Sequence, residues 1–142
     1  MNDFLFDIHD ELIRPYGTER TQIVYVYSMD NGNKIMWDID KAWRILKNKP
    51  RKPHIVEDQN GQFKHIAETF DLEPEKLKHA DCAVPGIITT IIQDNKLQNI
   101  VIDGIHRLVK AYQNDFTYFC YYLFPEESKE CIIACTDISL LP

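Results

Sequence analysis

The chain has 142 residues, 44% hydrophobic and 27% charged, with a formal net charge of −6. That profile fits one globular domain that buries its own core without disulfide staples. The acidic balance weighs against broad nucleic-acid binding, and no apolar run approaches the ~20 residues of a membrane helix.

The N-terminus, MNDFLFDIHDELIRPYG, carries acids before its first basic residue and has no small-residue cleavage site. It does not read as a secretion signal, so a cytoplasmic setting with reduced thiols is expected. Residues 1–21 are taken as an arm and residues 22–142 as a single domain. QIVYVYS, residues 22–28, is β-branched and aromatic and predicts a strand. Asn31-Gly32 predicts a type I′ hairpin turn, with KIMW as the return strand.

Asp38 is placed to cap a helix over 39–48, where Ile39, Ala42, Trp43 and Leu46 recur at helical spacing. Pro50 and Pro53 end it. KNKPRKPH, Lys47 to His54, holds five basic residues in eight and reads as a solvated loop, with a phosphate-facing loop as the alternative. PHIVED is a short extended segment. Gln62 to Phe70 is expected to be helical, with Phe63, Ile66 and Phe70 on one face, and EPEKLKHA forms a short helix started by Pro74.

Ile87 to Ile92 is nearly continuous, apolar and β-branched, hence a buried strand. Asp94-Asn95 is a turn, NIVIDG the next strand and 105–113 a helix. FTYFCYYLF is a further buried strand, and Glu126 to Cys135 a final helix begun by Pro125. The alternation predicts an α+β fold with an α/β-like second half: a small mixed sheet with flanking helices. Cys131 and Cys135 would share a helix face, but a zinc site needs two further ligands that the sequence does not place. Cys120 reads as core.

The stretch VIDGIHRLVKAY, residues 101–112, concentrates the chemistry. Ile105, Leu108, Val109 and Tyr112 are spaced to face the core, which leaves His106, Arg107, Lys110 and Gln113 on the other side. The first amides of a helix lack internal partners and carry partial positive charge. Gly104 lets the chain turn tightly and a ligand approach. Gly104, Ile105, His106, Arg107 and Lys110 therefore outline a phosphate site. Asp103 would repel a bare phosphate. It either caps the helix, or holds Mg²⁺ or accepts a proton beside the phosphate. His106 is open to a structural or a catalytic reading. Glu57 and Asp58 are candidates for a second acidic arm, and Thr89 and Thr90 read as ordinary strand residues.

This corner resembles the ParB/sulfiredoxin fold superfamily, whose members share a strand, a glycine-containing turn and a helix opening with His-Arg or Arg-Arg. Asp-Gly-Ile-His-Arg looks like the DGxHR form of ParB-like proteins and of a family of free-amino-acid kinases. MWDIDKAWRIL, HADCAVPGIITTII and FTYFCYYLFPEES resemble the surrounding elements, so the likeness spans residues 22–135. It implies that Gly104, His106 and Arg107 sit on nucleotide phosphates and that Asp103 acts as base or metal contact. Ile105 stands where sulfiredoxins have their catalytic cysteine, so sulfiredoxin chemistry is not expected. The Arg-Arg pair and the downstream domains of partition ParB proteins are missing, so plasmid partition is not expected either.

The resulting expectation is ATP or CTP bound with Mg²⁺, with Asp103, His106 and Arg107 as catalytic residues in nucleotide hydrolysis or phosphoryl transfer. The alternatives are a non-catalytic nucleotide switch, with YFCYYLF as a candidate partner surface, and nucleic-acid binding through Lys47–His54 and Arg107, including a ParB-like nuclease.

Overall fold

The computed structural model describes residues 24–58, 60–70 and 72–142. The arm assigned to 1–21 and the first two positions of the 22–28 strand lie outside the described residues. The described chain runs β1 (Val24–Ser28), β2 (Lys34–Asp38), α1 (Ile39–Asn48), β3 (His54–Ile55), α2 (Gln62–Thr69) and α3 (Pro74–His79). It continues through β4 (Gly86–Gln93), β5 (Lys96–Asp103), α4 (Ile105–Asn114), β6 (Phe119–Tyr122), α5 (Pro125–Cys131) and β7 (Ile132–Cys135), and ends in a 3₁₀ turn at Ile138–Leu140.

The fold is α+β, but the strands divide between two sheets rather than forming one. One is an antiparallel sheet in the order β1-β2-β7. The other has the order β3-β6-β4-β5, with β4 and β6 parallel and the remaining pairs antiparallel. Strand β4 sits inside the second sheet and is covered on both faces, which is why Ile87–Ile92 is nearly all β-branched, with only the hydrogen-bonded Thr89 and Thr90 interrupting the isoleucines. Ile87 and Ile91 enter a core shared with Trp37 and Ile35 of β2 and Ala42 and Leu46 of α1. Ile88 packs on the opposite face, where Leu108, Val109 and Ala111 of α4 meet Phe63 of α2 and Cys120 of β6.

Helix α1 forms as its sequence dictates. Asp38 accepts a hydrogen bond from the Lys41 amide at 3.0 Å, and Ile39, Ala42 and Leu46 are buried. The Asp38→Ala variant should lose about 1 kcal/mol in urea denaturation, the usual worth of an N-cap, with no change in fold.

Several expectations are corrected. The type I′ turn is found at Asp94-Asn95, where both residues have positive φ. In the first hairpin only Gly32 does, and the Gly32 amide bonds to Met29 O at 3.0 Å. Asn31 there adopts an ordinary φ, so the loop is the longer kind closed by a left-handed glycine. Helix α2 stops at Thr69, and Phe70 is exposed. In α4 Ala111 is buried while Tyr112 is 40% exposed, so the apolar face is narrower than its spacing suggests. The strand predicted over 116–124 is confined to Phe119–Tyr122, with Phe116 and Phe124 exposed at either side. The last helix ends at Cys131, and Ile132–Cys135 form β7 against β2. Local preference is mixed here, with Ile132 and Ile133 favouring a strand and Ala134 a helix, and the edge of β2 decides. Cys131 and Cys135 therefore share no helix face. Among the described residues no group of three His, Cys, Asp or Glu side chains could hold a metal. No helix of the described residues is long and apolar enough to cross a membrane.

Candidate functional site

The corner is built where β5 meets α4. Asp103 is the last residue of β5 and pairs with Ile87 across the sheet. Gly104 follows with φ +103°, a left-handed conformation, and is the N-cap of α4 with no side-chain cap bond. Its carbonyl accepts from the Leu108 amide at 2.8 Å and from the Tyr118 hydroxyl at 3.0 Å. The turn is therefore pinned from below by a buried phenol, whose ionisation burial pushes far upward. Gly86 lies against it: a Cβ on Gly104 would fall 2.8 Å from Gly86 Cα.

Asp103 does not cap the helix. Its Oδ2 accepts from Trp43 Nε1 of α1 at 2.9 Å and from Arg107 Nη2 at 3.4 Å. The second of these is an i,i+4 ion pair whose side chains are 18% (Arg107) and 10% (Asp103) exposed. Arg107 Nη2 also approaches Pro85 O at 3.4 Å, while Arg107 Nε is buried with no hydrogen-bond partner among the described residues. Charge-assisted N–H···O bonds are ordinarily about 2.7–2.9 Å long, so this guanidinium is held loosely. Arg51 offers the contrast. It binds Glu127 in two-pronged fashion at 2.6 and 2.7 Å and donates to two backbone carbonyls as well.

His106 occupies the second helical position and is half-buried. Ile105 packs with the α4 core. Lys110 is engaged elsewhere: its ammonium donates to Lys78 O at 2.7 Å and Ala80 O at 2.8 Å, tying α3 to α4. The structure thus brings Asp103, Gly104 and Arg107 together and gives Lys110 a bracing role. Glu57 is exposed, and Asp58 accepts from the Phe63 amide at 2.8 Å at the start of α2. Thr89 bonds to Leu123 O, and Thr90 to Asn99 and Tyr122, as strand residues.

No family model, curated protein or solved structure matches this chain. The ParB/sulfiredoxin likeness therefore rests on the sequence motifs alone.

Sequence reasoning missed four contributors. Trp43 looked like one more apolar residue of α1, yet its indole N–H reaches Asp103. Tyr118 and Gly86 shape the turn, and Cys120 lies behind it, 3.1 Å from where a Gly86 Cβ would be. Burial pushes the Cys120 thiol up to about 11, so at neutral pH it stays protonated and is no nucleophile. The Pro-Gly step that opens β4 was the available signal, since glycine in a strand marks a close backbone approach.

Proposed function

We propose that this chain is a nucleotide-phosphate-binding domain of the ParB/sulfiredoxin kind, working by exchange: a phosphate oxygen replaces the Asp103 carboxylate on Arg107. The incomplete pairing of Arg107 carries the reading. A guanidinium held through Nη2 by two 3.4 Å contacts, with an Nε that has no partner among the described residues, is weakly satisfied and can exchange its partners for better ones. A phosphate, with several acceptor oxygens, matches them better than one carboxylate oxygen does. The start of α4 adds partial positive charge, and its glycine cap brings no side-chain acceptor to compete.

Exchange gives the variants opposite signs. Arg107→Ala should weaken ATP or CTP binding about tenfold or more, the worth of a hydrogen bond to a charged group. Asp103→Asn should tighten it, because the competing negative charge is gone. Isothermal titration calorimetry with each nucleotide, with and without Mg²⁺, measures both. Unchanged affinity in Arg107→Ala, or weaker binding in Asp103→Asn, would sink the exchange model.

The same exchange releases the Asp103 carboxylate beside the phosphate, where it can take a proton from an attacking water or hydroxyl. Hydrolysis or phosphoryl transfer is the reaction class this serves. Turnover that survives in Asp103→Asn removes Asp103 as base, and binding without turnover in the wild type makes the domain a regulatory module. Among the described residues Asp103 belongs to no group of three metal-ligating side chains, so Mg²⁺ would arrive with the nucleotide, held by its phosphates and at most this one carboxylate. No step is assigned to a metal. A cytoplasmic setting suits four unbridged cysteines.

A further inference from the structure

Beside the corner lies a cavity of about 410 Å³ lined by Trp43, Leu46, Lys47, Pro50, Arg51 and Tyr121. Its volume falls within the roughly 300–1,000 Å³ of small-molecule sites. We propose that it receives the planar base of the nucleotide whose phosphate Arg107 binds, an inference that rests on the phosphate reading above.

Three observations join the cavity to the corner. Tyr121 and Asp103 both pair with Ile87, one on each side of β4. The β4–β5 register shifts between Ile87 and Ile88, yet Asp103 and Tyr121 share a face because both meet Trp43, and two strand spacings put their backbones about 10 Å apart. Trp43 spans that interval: its Nε1 donates to Asp103, and its ring meets Tyr121 edge-to-face at 6.0 Å and 88°. The lining chemistry is also selective. Two aromatic rings, a leucine and a proline offer stacking surface to a flat heterocycle. Arg51 is engaged by Glu127 and acts as a fixed wall, while the exposed Lys47 can meet a ring carbonyl or a phosphate.

Trp43 makes the inference testable in the intact chain. The other tryptophan, Trp37, is fully buried and donates to Ser128 Oγ at 2.8 Å, so it is shielded from any ligand. Intrinsic fluorescence is titrated with ATP, CTP and inorganic tripolyphosphate. At least one nucleotide should quench Trp43 and bind about tenfold more tightly than tripolyphosphate, the size of one base stacking on an aromatic. Tyr121→Leu should erase that advantage and leave tripolyphosphate affinity where it was. Equal binding of nucleotides and tripolyphosphate, or tight nucleotide binding without quenching, overturns the base subsite and leaves the phosphate reading standing. Should none of the three bind, the phosphate reading fails and the subsite falls with it. The wild-type comparison decides the matter even if Tyr121→Leu does not fold.

Discussion

Gly86→Ala should destabilise the protein by about 3 kcal/mol, the upper range for forced overpacking, although Gly86 needs no unusual backbone angle. The cost is steric. A Cβ at this position would lie 2.4 Å from the Tyr118 hydroxyl and 2.5 Å from the Asp103 carbonyl oxygen. The phenol can shift, but the carbonyl belongs to β5 and cannot move without parting β4 from β5 at the Ile87–Asp103 pair. Thermal denaturation should register a drop of about 10 °C for a domain of this size. Tyr118→Phe in the same chain removes the first clash only, so it should restore less than half of the loss. Gly32→Ala serves as the comparison: its φ is +92° but nothing lies within 4 Å, so it pays only the left-handed penalty of about 1 kcal/mol. If Gly86→Ala proves as stable as wild type, β4 does not approach the corner as described.

That contrast shows what was readable from the sequence. Local rules carried α1, because Asp38 and the Ile39, Ala42, Leu46 spacing settle cap and face within one segment. They carried β4 too, since a strand covered on both sides reads as a nearly continuous β-branched run without polar alternation. They failed where a distant edge decides, as when β2 draws Ile132–Cys135 out of the helix. In the candidate site the same division holds. Asp103, Gly104 and Arg107 lie within five residues and were legible together. The ion pair between Asp103 and Arg107 was not legible, because the sequence does not say whether the guanidinium turns to the carboxylate four residues back or to a ligand. Trp43 lies 60 positions before Asp103, and no spacing rule links an indole in one helix to a carboxylate at the end of a strand.

Replacing Glu127 by Gln should cost about 2 kcal/mol, between the values for an exposed ion pair and for a fully buried pair losing one partner. Glu127 holds two structures at once. Its carboxylate receives both prongs of Arg51, with side chains 16% (Arg51) and 8% (Glu127) exposed, and accepts from the Phe124 amide at 3.0 Å at the start of α5. Arg51 in turn donates to Tyr122 O and lies 5.0 Å over the Phe124 ring. The loop after α1 is thereby fastened to β6 and α5. The hydrogen bonds from Arg51, ahead of the Phe124 amide, hold the Glu127 carboxyl below its ordinary value of 4.5 against the opposing effect of burial. A carboxylate depressed in this way binds its proton more weakly folded than unfolded. Its contribution is complete above the ordinary value and is lost as pH falls through the lower native one. Urea denaturation of wild type and Glu127→Gln should therefore differ by a constant amount from about pH 6 to 8, and the gap should narrow below about pH 4.5, where the unfolded glutamate takes up its proton. A gap that widens on acidification would mean that Glu127 is held by its neutral form, and the clasp between α1 and α5 would need a different donor.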